Sequence, residues 1–326
     1  MKILLAGGAG YIGSMLAPML TEHGYDVVVM DLMWFGNYLP KTIKVVQKDI
    51  FHCTAKDLEG VEQVIFLAGL SNDPMAEFYP AGNFTYNAAL PAYLAFTAKQ
   101  AGVRRFIYAS SCSVYGYTLN QLYDENSAAT CNYPYGISKL QGERGVGLLE
   151  DDKFSTISLR QGTVCGHSPR MRMDLVVNTM FKTAITENTI TVNNPALWRP
   201  IYDIRDAVNA FLRAIQADYS ISGVFNVCSG NYTIGQIGDI IKDEMERLLN
   251  KKISLDIKNI HDLRNYKVSI EKAKTELGFA PQYSIRDIVA ELYKNRALYG
   301  DYNRDEFYNI RVFKSLYNQS KIPVTL

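Results

Sequence analysis

The stretch Gly7-Gly8-Ala9-Gly10-Tyr11-Ile12-Gly13 follows the apolar run Ile3-Leu4-Leu5-Ala6 and opens a segment with helical periodicity. The spacing Gly7-x-x-Gly10-x-x-Gly13 suits a turn between a first strand and a first helix. Gly7 makes the tight turn, Gly10 lets backbone approach a pyrophosphate, and Gly13 permits close helix–strand contact. The helix N-terminus, with Tyr11 and Ile12, turns N–H groups and a positive dipole toward the phosphates. Asp31 ends the next apolar run. Its carboxylate would accept hydrogen bonds from an adenosine ribose and repel a 2′-phosphate, which favours NAD over NADP. A second glycine set, Gly142-x-x-Gly145-x-Gly147, lies inside a helical stretch with no strand before it and is set aside.

Working outward, strands are expected at residues 2–6, 26–30, 44–47, 63–68, 105–109 and 155–160, and helices at 12–23, 83–101 and 135–149. Several strands are apolar on consecutive residues, as when helices cover both faces of a parallel sheet. The βαβα order predicts an α/β fold, a Rossmann-type doubly wound parallel sheet. After residue 160 the rhythm changes. A Pro/Arg/Met-rich segment, 166–174, precedes a helix at 175–187, a strand at 223–227 and a helix at 234–249, within a smaller mixed α/β C-terminal region. Residues 1–165, together with 200–228, are expected to bind the cofactor, and 166–199 with 229–326 the substrate. The Tyr- and Asn-rich tail, 299–326, is weakly patterned and reads as an extension packed on the body or on a neighbouring subunit.

With 326 residues, 48% hydrophobic and 21% charged, the composition is that of a globular protein. A formal net charge of +1 offers no global field for nucleic acid or an anionic membrane. The apolar start is too short for a signal core or a membrane span. Five scattered cysteines and four isolated histidines show no ligand spacing, so no metal is expected and the thiols read as reduced, in a cytoplasmic protein.

Tyr135-Gly136-Ile137-Ser138-Lys139 places a phenol and an ammonium one turn apart on one helix face. Removing a proton from a carbinol during hydride transfer needs a base, and an ordinary tyrosine, with pKa about 10, is a poor one at neutral pH. A nearby Lys139 cation and a positive nicotinamide would each favour tyrosinate. Lys139 could also hold the nicotinamide ribose. Ser111, in Ala109-Ser110-Ser111-Cys112-Ser113-Val114-Tyr115-Gly116, would hydrogen-bond the reacting oxygen. A second match, Tyr317-Asn318-Gln319-Ser320-Lys321, has no strand or serine cluster before it and reads as coincidence.

Together these motifs resemble the extended short-chain dehydrogenase/reductase family, and within it the NAD-dependent nucleotide-sugar epimerase/dehydratase branch. The resemblance covers nearly the whole chain. It implies that Asp49-Ile50 lie by the adenine, that Leu67-Ala68-Gly69 flank the cofactor, and that Asn87 lies on a helix near the active site. Trp198-Arg199-Pro200-Ile201-Tyr202-Asp203-Ile204-Arg205-Asp206 resembles a segment whose arginine meets the substrate's phosphates. Asp262-Leu263-Arg264-Asn265-Tyr266 and Lys272-Ala273-Lys274-x-x-Leu277-Gly278-Phe279-x-Pro281 resemble the C-terminal substrate signature. Arg170 and Arg172, in Ser168-Pro169-Arg170-Met171-Arg172-Met173-Asp174, join Arg199 and Arg264 as candidate contacts to a nucleotide-diphosphate sugar. The resemblance also implies a homodimer through the helices at 83–101 and 135–149.

Three departures bear on the reaction. Dehydratases of this family carry an Asp-Glu pair directly after the catalytic Ser or Thr, where this chain has Cys112-Ser113, candidates instead for contact with substrate. Thr163-Val164-Cys165-Gly166-His167 replaces the common N-V-Y-G-P, and Asp203 stands where a histidine is usual. Dehydration is therefore disfavoured. The expected activity is C4 epimerisation: Tyr135 removes the C4 hydroxyl proton, the hydride passes to NAD, and the 4-keto sugar turns to take it back on the other face. A one-way C4 dehydrogenase or 4-keto reductase would use the same residues, and a non-catalytic NAD-binding protein the same fold.

Overall fold

In the computed structural model, which describes residues 1–260 and 264–322, seven parallel strands form one sheet. In chain order they are β1 (Lys2–Ala6), β2 (Asp26–Asp31), β3 (Lys44–Gln47), β4 (Gln63–Phe66), β5 (Arg105–Ser111), β6 (Ser155–Gln161) and β7 (Gly223–Val227). Across the sheet they run β3-β2-β1-β4-β5-β6-β7. The order reverses between β1 and β4, and sheets of this kind take ligands outside the carboxyl ends at that point. β1 has no polar face. Ile3 and Leu5 pack with helices Gly13–Glu22 and Ile204–Gln216, while Leu4 and Ala6 pack with helix Leu90–Gln100. The fold is the Rossmann-type doubly wound α/β sheet, accompanied by smaller sheets.

Two of the differences from the sequence reading concern helices that pack on the sheet. The helix expected over 83–101 is a short helix Pro80–Phe84, a π-helical turn Thr85–Ala89, and then Leu90–Gln100. Helix Ile204–Gln216 is an addition to the expected elements. Asp203 caps it, accepting from Arg205 N at 2.7 Å, and Ile204, Ala207, Val208, Phe211, Leu212 and Ile215 supply a buried stripe at helical spacing. The aspartate that departs from the family pattern thus starts a helix.

The second half holds a three-stranded sheet (Gly230–Thr233, Trp198–Asp203, Thr163–Cys165) and two two-stranded ones. Its core gathers Val177, Phe181, Ile237, Ile241 and Ile288. The tail contributes to two cores. Tyr299 and Phe307 lie in this second core, whereas Phe313 and Ile322 lie in the sheet's own core beside Phe66 and Leu94. Helix Asn309–Asn318 carries it there. Among the described residues no helix is long and apolar enough to cross a membrane.

Candidate active site

A cavity of about 550 Å³ opens where β1, β4, β5 and β6 end. Its wall includes Gly7, Gly10, Tyr11, Ile12 and Gly13 after β1, Leu67, Ala68 and Gly69 after β4, and Ser111, Tyr135 and Lys139. Gly7 and Gly13 are required by contact. Gly7 has φ +81°, and a Cβ on it would stand 2.4 Å from Ala68 N. A Cβ on Gly13 would stand 2.2 Å from Gly8 O. Only Gly7 O, at 3.4 Å, would meet a Cβ on Gly10, which leaves the cavity open over that backbone.

Asp31 lies beside this loop, accepting from Ala9 N at 3.0 Å and Met33 N at 2.7 Å. Burial holds its carboxyl above the ordinary range, against the pull of those amides. Asp49 caps the turn Ile50–His52 through Phe51 N at 2.9 Å, while its Oδ2 is buried with no hydrogen-bond partner. Asp31, Asp49 and Ile50 lie outside the cavity's lining, whereas the open glycine cradle within it fits the phosphates of an adenine dinucleotide. Asn87 sits in the π turn, a feature frequent at functional sites. Its Nδ2 donates to Leu70 O at 2.9 Å and Asn83 Oδ1 at 2.8 Å, and its Oδ1 is buried without a partner against Gly69.

Ser111 ends β5, and its Oγ accepts from Ser113 N at 3.2 Å and Ser113 Oγ at 2.9 Å. Tyr135 and Lys139 come from helix Pro134–Gly147, which Gly142 brings so close that a Cβ there would be 2.2 Å from Asn87 O. Burial pushes the Tyr135 phenol up to about 12; Asp73 adds to the rise, while a hydrogen bond with Ser111 and the Arg172 charge oppose it. Burial also lowers Lys139 to about 7, opposed by Glu143. Its Nζ lies 4.5 Å from the centre of the Tyr108 ring. Glu143, one turn further on, is paired with Arg160.

The arginines divide. Arg172 donates to Asp174 through Nε at 2.8 Å and Nη2 at 3.1 Å, and Arg264 pairs with Asp73 at 2.8 Å. Arg199 donates to the carbonyls of Trp198 and Arg264. All four line the cavity; Arg172 lies 5.9 Å from the centre of the Tyr11 ring in the glycine loop, and Arg170 lies over the Phe35 ring at 3.9 Å, on the side of Asp31. Ser113 faces the cavity, but Cys112 does not: it is fully buried, and its Sγ lies 3.1 Å from Arg160 O. The turn Cys112–Tyr115 breaks strand alternation and sends the thiol inward. Asp262 and Leu263 lie outside the described residues. Asp73, which no motif includes, and Asp174, the end of the segment that carries Arg170 and Arg172, line the cavity as well. Glu143 had a signal, since it falls four residues beyond Lys139 on the same face. Among the described residues no group of three or more His, Cys, Asp or Glu could hold a metal ion.

Comparison with known proteins agrees with this geometry. The chain is 23% identical to UDP-glucose 4-epimerase of Corynebacterium glutamicum over 322 residues, 92% of this chain and 97% of that protein. It is 26% identical to UDP-glucuronic acid decarboxylase 5 of Arabidopsis thaliana over 305 residues, covering 88% and 86% of the two chains. The structure of UDP-glucuronic acid 4-epimerase from Bacillus cereus, in complex with UDP-glucuronic acid and NAD, superposes with TM-score 0.79 at 24% identity, covering 92% of this chain and 100% of that one. The family model for NAD-dependent epimerases and dehydratases matches residues 3–228. The chain belongs to the NAD-dependent epimerase/dehydratase family, and NAD is its cofactor.

Proposed function

We propose that this protein is a nucleotide-sugar 4-epimerase with Tyr135 as its proton acceptor and donor. The observation that carries the reading is a complete Ser111–Tyr135–Lys139 set in one cavity with no acid at the two positions directly after Ser111: Cys112 faces away, and Ser113 is a hydroxyl. When bound, NAD supplies a hydride acceptor and donor at its nicotinamide. Tyr135 accepts the C4 hydroxyl proton and returns it, while Ser111 holds the same oxygen by hydrogen bond. Lys139, within the cavity wall and buried, donates to the nicotinamide ribose from the helix that Tyr135 shares. Arg172, Arg199 and Arg264 hold the substrate's diphosphate and base, with Ser113 beside the sugar.

Gly7, Gly10, Tyr11, Ile12 and Gly13 cradle the cofactor's phosphates, Asp31 takes the adenosine ribose, and Asp49 and Ile50 border the adenine. Leu67, Ala68, Gly69 and Asn87 close the other side, and Arg170 faces the diphosphate. Residues 1–165 with 200–228 form the cofactor half, and 166–199 with 229–326 the substrate half, apart from the crossing tail. Two subunits pair through helices Leu90–Gln100 and Pro134–Gly147, where Tyr93 and Phe96 are 41% and 53% exposed.

The test is incubation of purified protein with UDP-glucose, UDP-glucuronic acid and other nucleotide-hexoses, without added NAD, followed by proton NMR. C4 epimers are expected without net NADH formation. A product that appears only in step with added NADH or NAD would make the protein a reductase or dehydrogenase. No C4 epimer from any sugar of the panel would overturn the reading.

A further inference from the structure

The tail crosses from one core to the other over the cavity. Phe307 is anchored in the second core, and Met173 N donates to its carbonyl at 2.9 Å. Phe313 is anchored in the sheet's core, with its ring 5.7 Å from Trp34, 6.1 Å from Phe78 and 6.4 Å from Tyr79. Tyr317 adds ring contacts at 5.3 Å to both Phe78 and Tyr79. Trp34 follows Asp31 closely in the chain, so the tail is tied to the flank of the cofactor side.

Asn309 is the residue at the crossing. It is 4% exposed and lines the same cavity as the glycine loop. Its Oδ1 accepts from Arg170 Nη2 at 2.6 Å, and its Nδ2 donates to Ser71 Oγ at 2.6 Å. Ser71 follows Leu67-Ala68-Gly69 on the far wall, and Arg170 covers Phe35 on the near one. One carboxamide therefore joins the two walls. It also holds a guanidinium that is 2% exposed and whose Nε is buried without a partner. Burial of a cation with an unsatisfied donor costs free energy unless an anionic ligand completes it.

We infer that the tail is a latch on the dinucleotide site, in which Asn309 is a positioning residue that holds Arg170 against Ser71 and so sets how fast the dinucleotide leaves. This rests on the reading that the glycine-loop cavity holds NAD, and it adds the element that retains it. NAD exchange then requires the Asn309 bridge to open, even though residue 309 is far along the chain from every cofactor motif.

The experiment uses the full chain loaded with 1,N6-etheno-NAD and chased with excess NAD, following the fluorescence of the released analogue. Asn309→Ala is expected to speed release by about tenfold or more, as loss of a hydrogen bond to a charged partner implies. Ser71→Ala, which breaks one half of the bridge, is expected to speed it less, and the double variant no more than Asn309→Ala alone. Asn309→Asp keeps the acceptor for Arg170 and is expected to restore slow release in part; it serves as the deciding variant if the alanine variant does not fold. Apoprotein melting is measured alongside. A latch shrinks the rise in Tm that NAD produces, whereas a purely structural role lowers apoprotein and loaded protein equally. Release within twofold of the parent for Asn309→Ala, or equal Tm losses, overturns the inference. No sugar is present, so the result stands apart from whether C4 epimerisation is found.

Discussion

Arg160 grips the Glu143 carboxylate at two points, Nε to Oε2 at 2.9 Å and Nη2 to Oε1 at 2.6 Å, and so fixes a negative charge one helical turn from Lys139. Ser110 Oγ donates to the same carboxylate at 2.7 Å, and Tyr115 accepts from Arg160 Nη1 at 2.7 Å. Both partners are almost fully buried. Glu143→Gln leaves a buried guanidinium without its counter-charge, and a stability loss of about 3–5 kcal/mol is expected in urea unfolding. Its effect on Lys139 has a definite sign. Removing the charge that opposes burial lowers the Lys139 pKa further below about 7. Amine labelling of the variant against pH should show the lysine neutral at lower pH than in the parent.

Asp73 gives a pH prediction of the same sign at Tyr135. Its carboxylate, paired with Arg264, is the second-largest cause of the rise of Tyr135 to about 12, after burial. Asp73→Asn removes that charge and leaves Arg264 positive, and both changes favour tyrosinate. The limb of the pH–kcat/KM profile on which activity climbs with pH should move to lower pH. A limb that stays in place, or moves upward, would separate Asp73 from the phenol.

Tyr135→Phe deletes one hydroxyl and keeps the ring. Turnover should fall by about 10²–10⁴-fold, the usual contribution of a positioned acid–base group. A loss below tenfold in a single-turnover assay would remove Tyr135 from the role of base.

Two glycines should respond to alanine in opposite directions. At Gly13 the new methyl meets the backbone of Gly8, at 2.2 Å from its O and 2.6 Å from its Cα, and backbone cannot swing aside. Gly13→Ala should cost about 1–3 kcal/mol and reduce the NAD that purifies with the protein. Gly147 ends helix Pro134–Gly147, and a methyl added there would have no neighbour within 4 Å. Gly147→Ala should leave NAD content alone and raise stability by about 0.5 kcal/mol. Melting curves and absorbance of the bound dinucleotide decide both.

The parts of the fold that could be read ahead were those written locally. Ile3-Leu4-Leu5-Ala6 is apolar on both faces, which only a sheet covered on both sides tolerates, and the close approach of Gly13 to Gly8 is a contact within a few residues. Tyr135 and Lys139 share a helix face by spacing alone. Helix Ile204–Gln216 was hidden because its start lies inside a motif usually read for its arginine and histidine; Asp203 as a cap explains the exception. Whether Cys112 or Ser113 reaches the cavity depends on a helical turn that interrupts the strand's alternation. Asp73 and Asn309 reach the site by long-range packing, for which neighbouring residues carry no sign.

The late return of β7 has a consequence for the protein's birth. β7 is drawn from Gly223–Val227 and pairs with β6 at Ser155–Gln161, every residue of which is buried in the finished sheet. While the ribosome is making the intervening segment, β6 is an open border that a second nascent chain can occupy, because an unpaired strand edge is a template for association. The hazardous interval in making this protein is therefore its middle, and slowing translation between residues 161 and 223 should convert soluble product into aggregate.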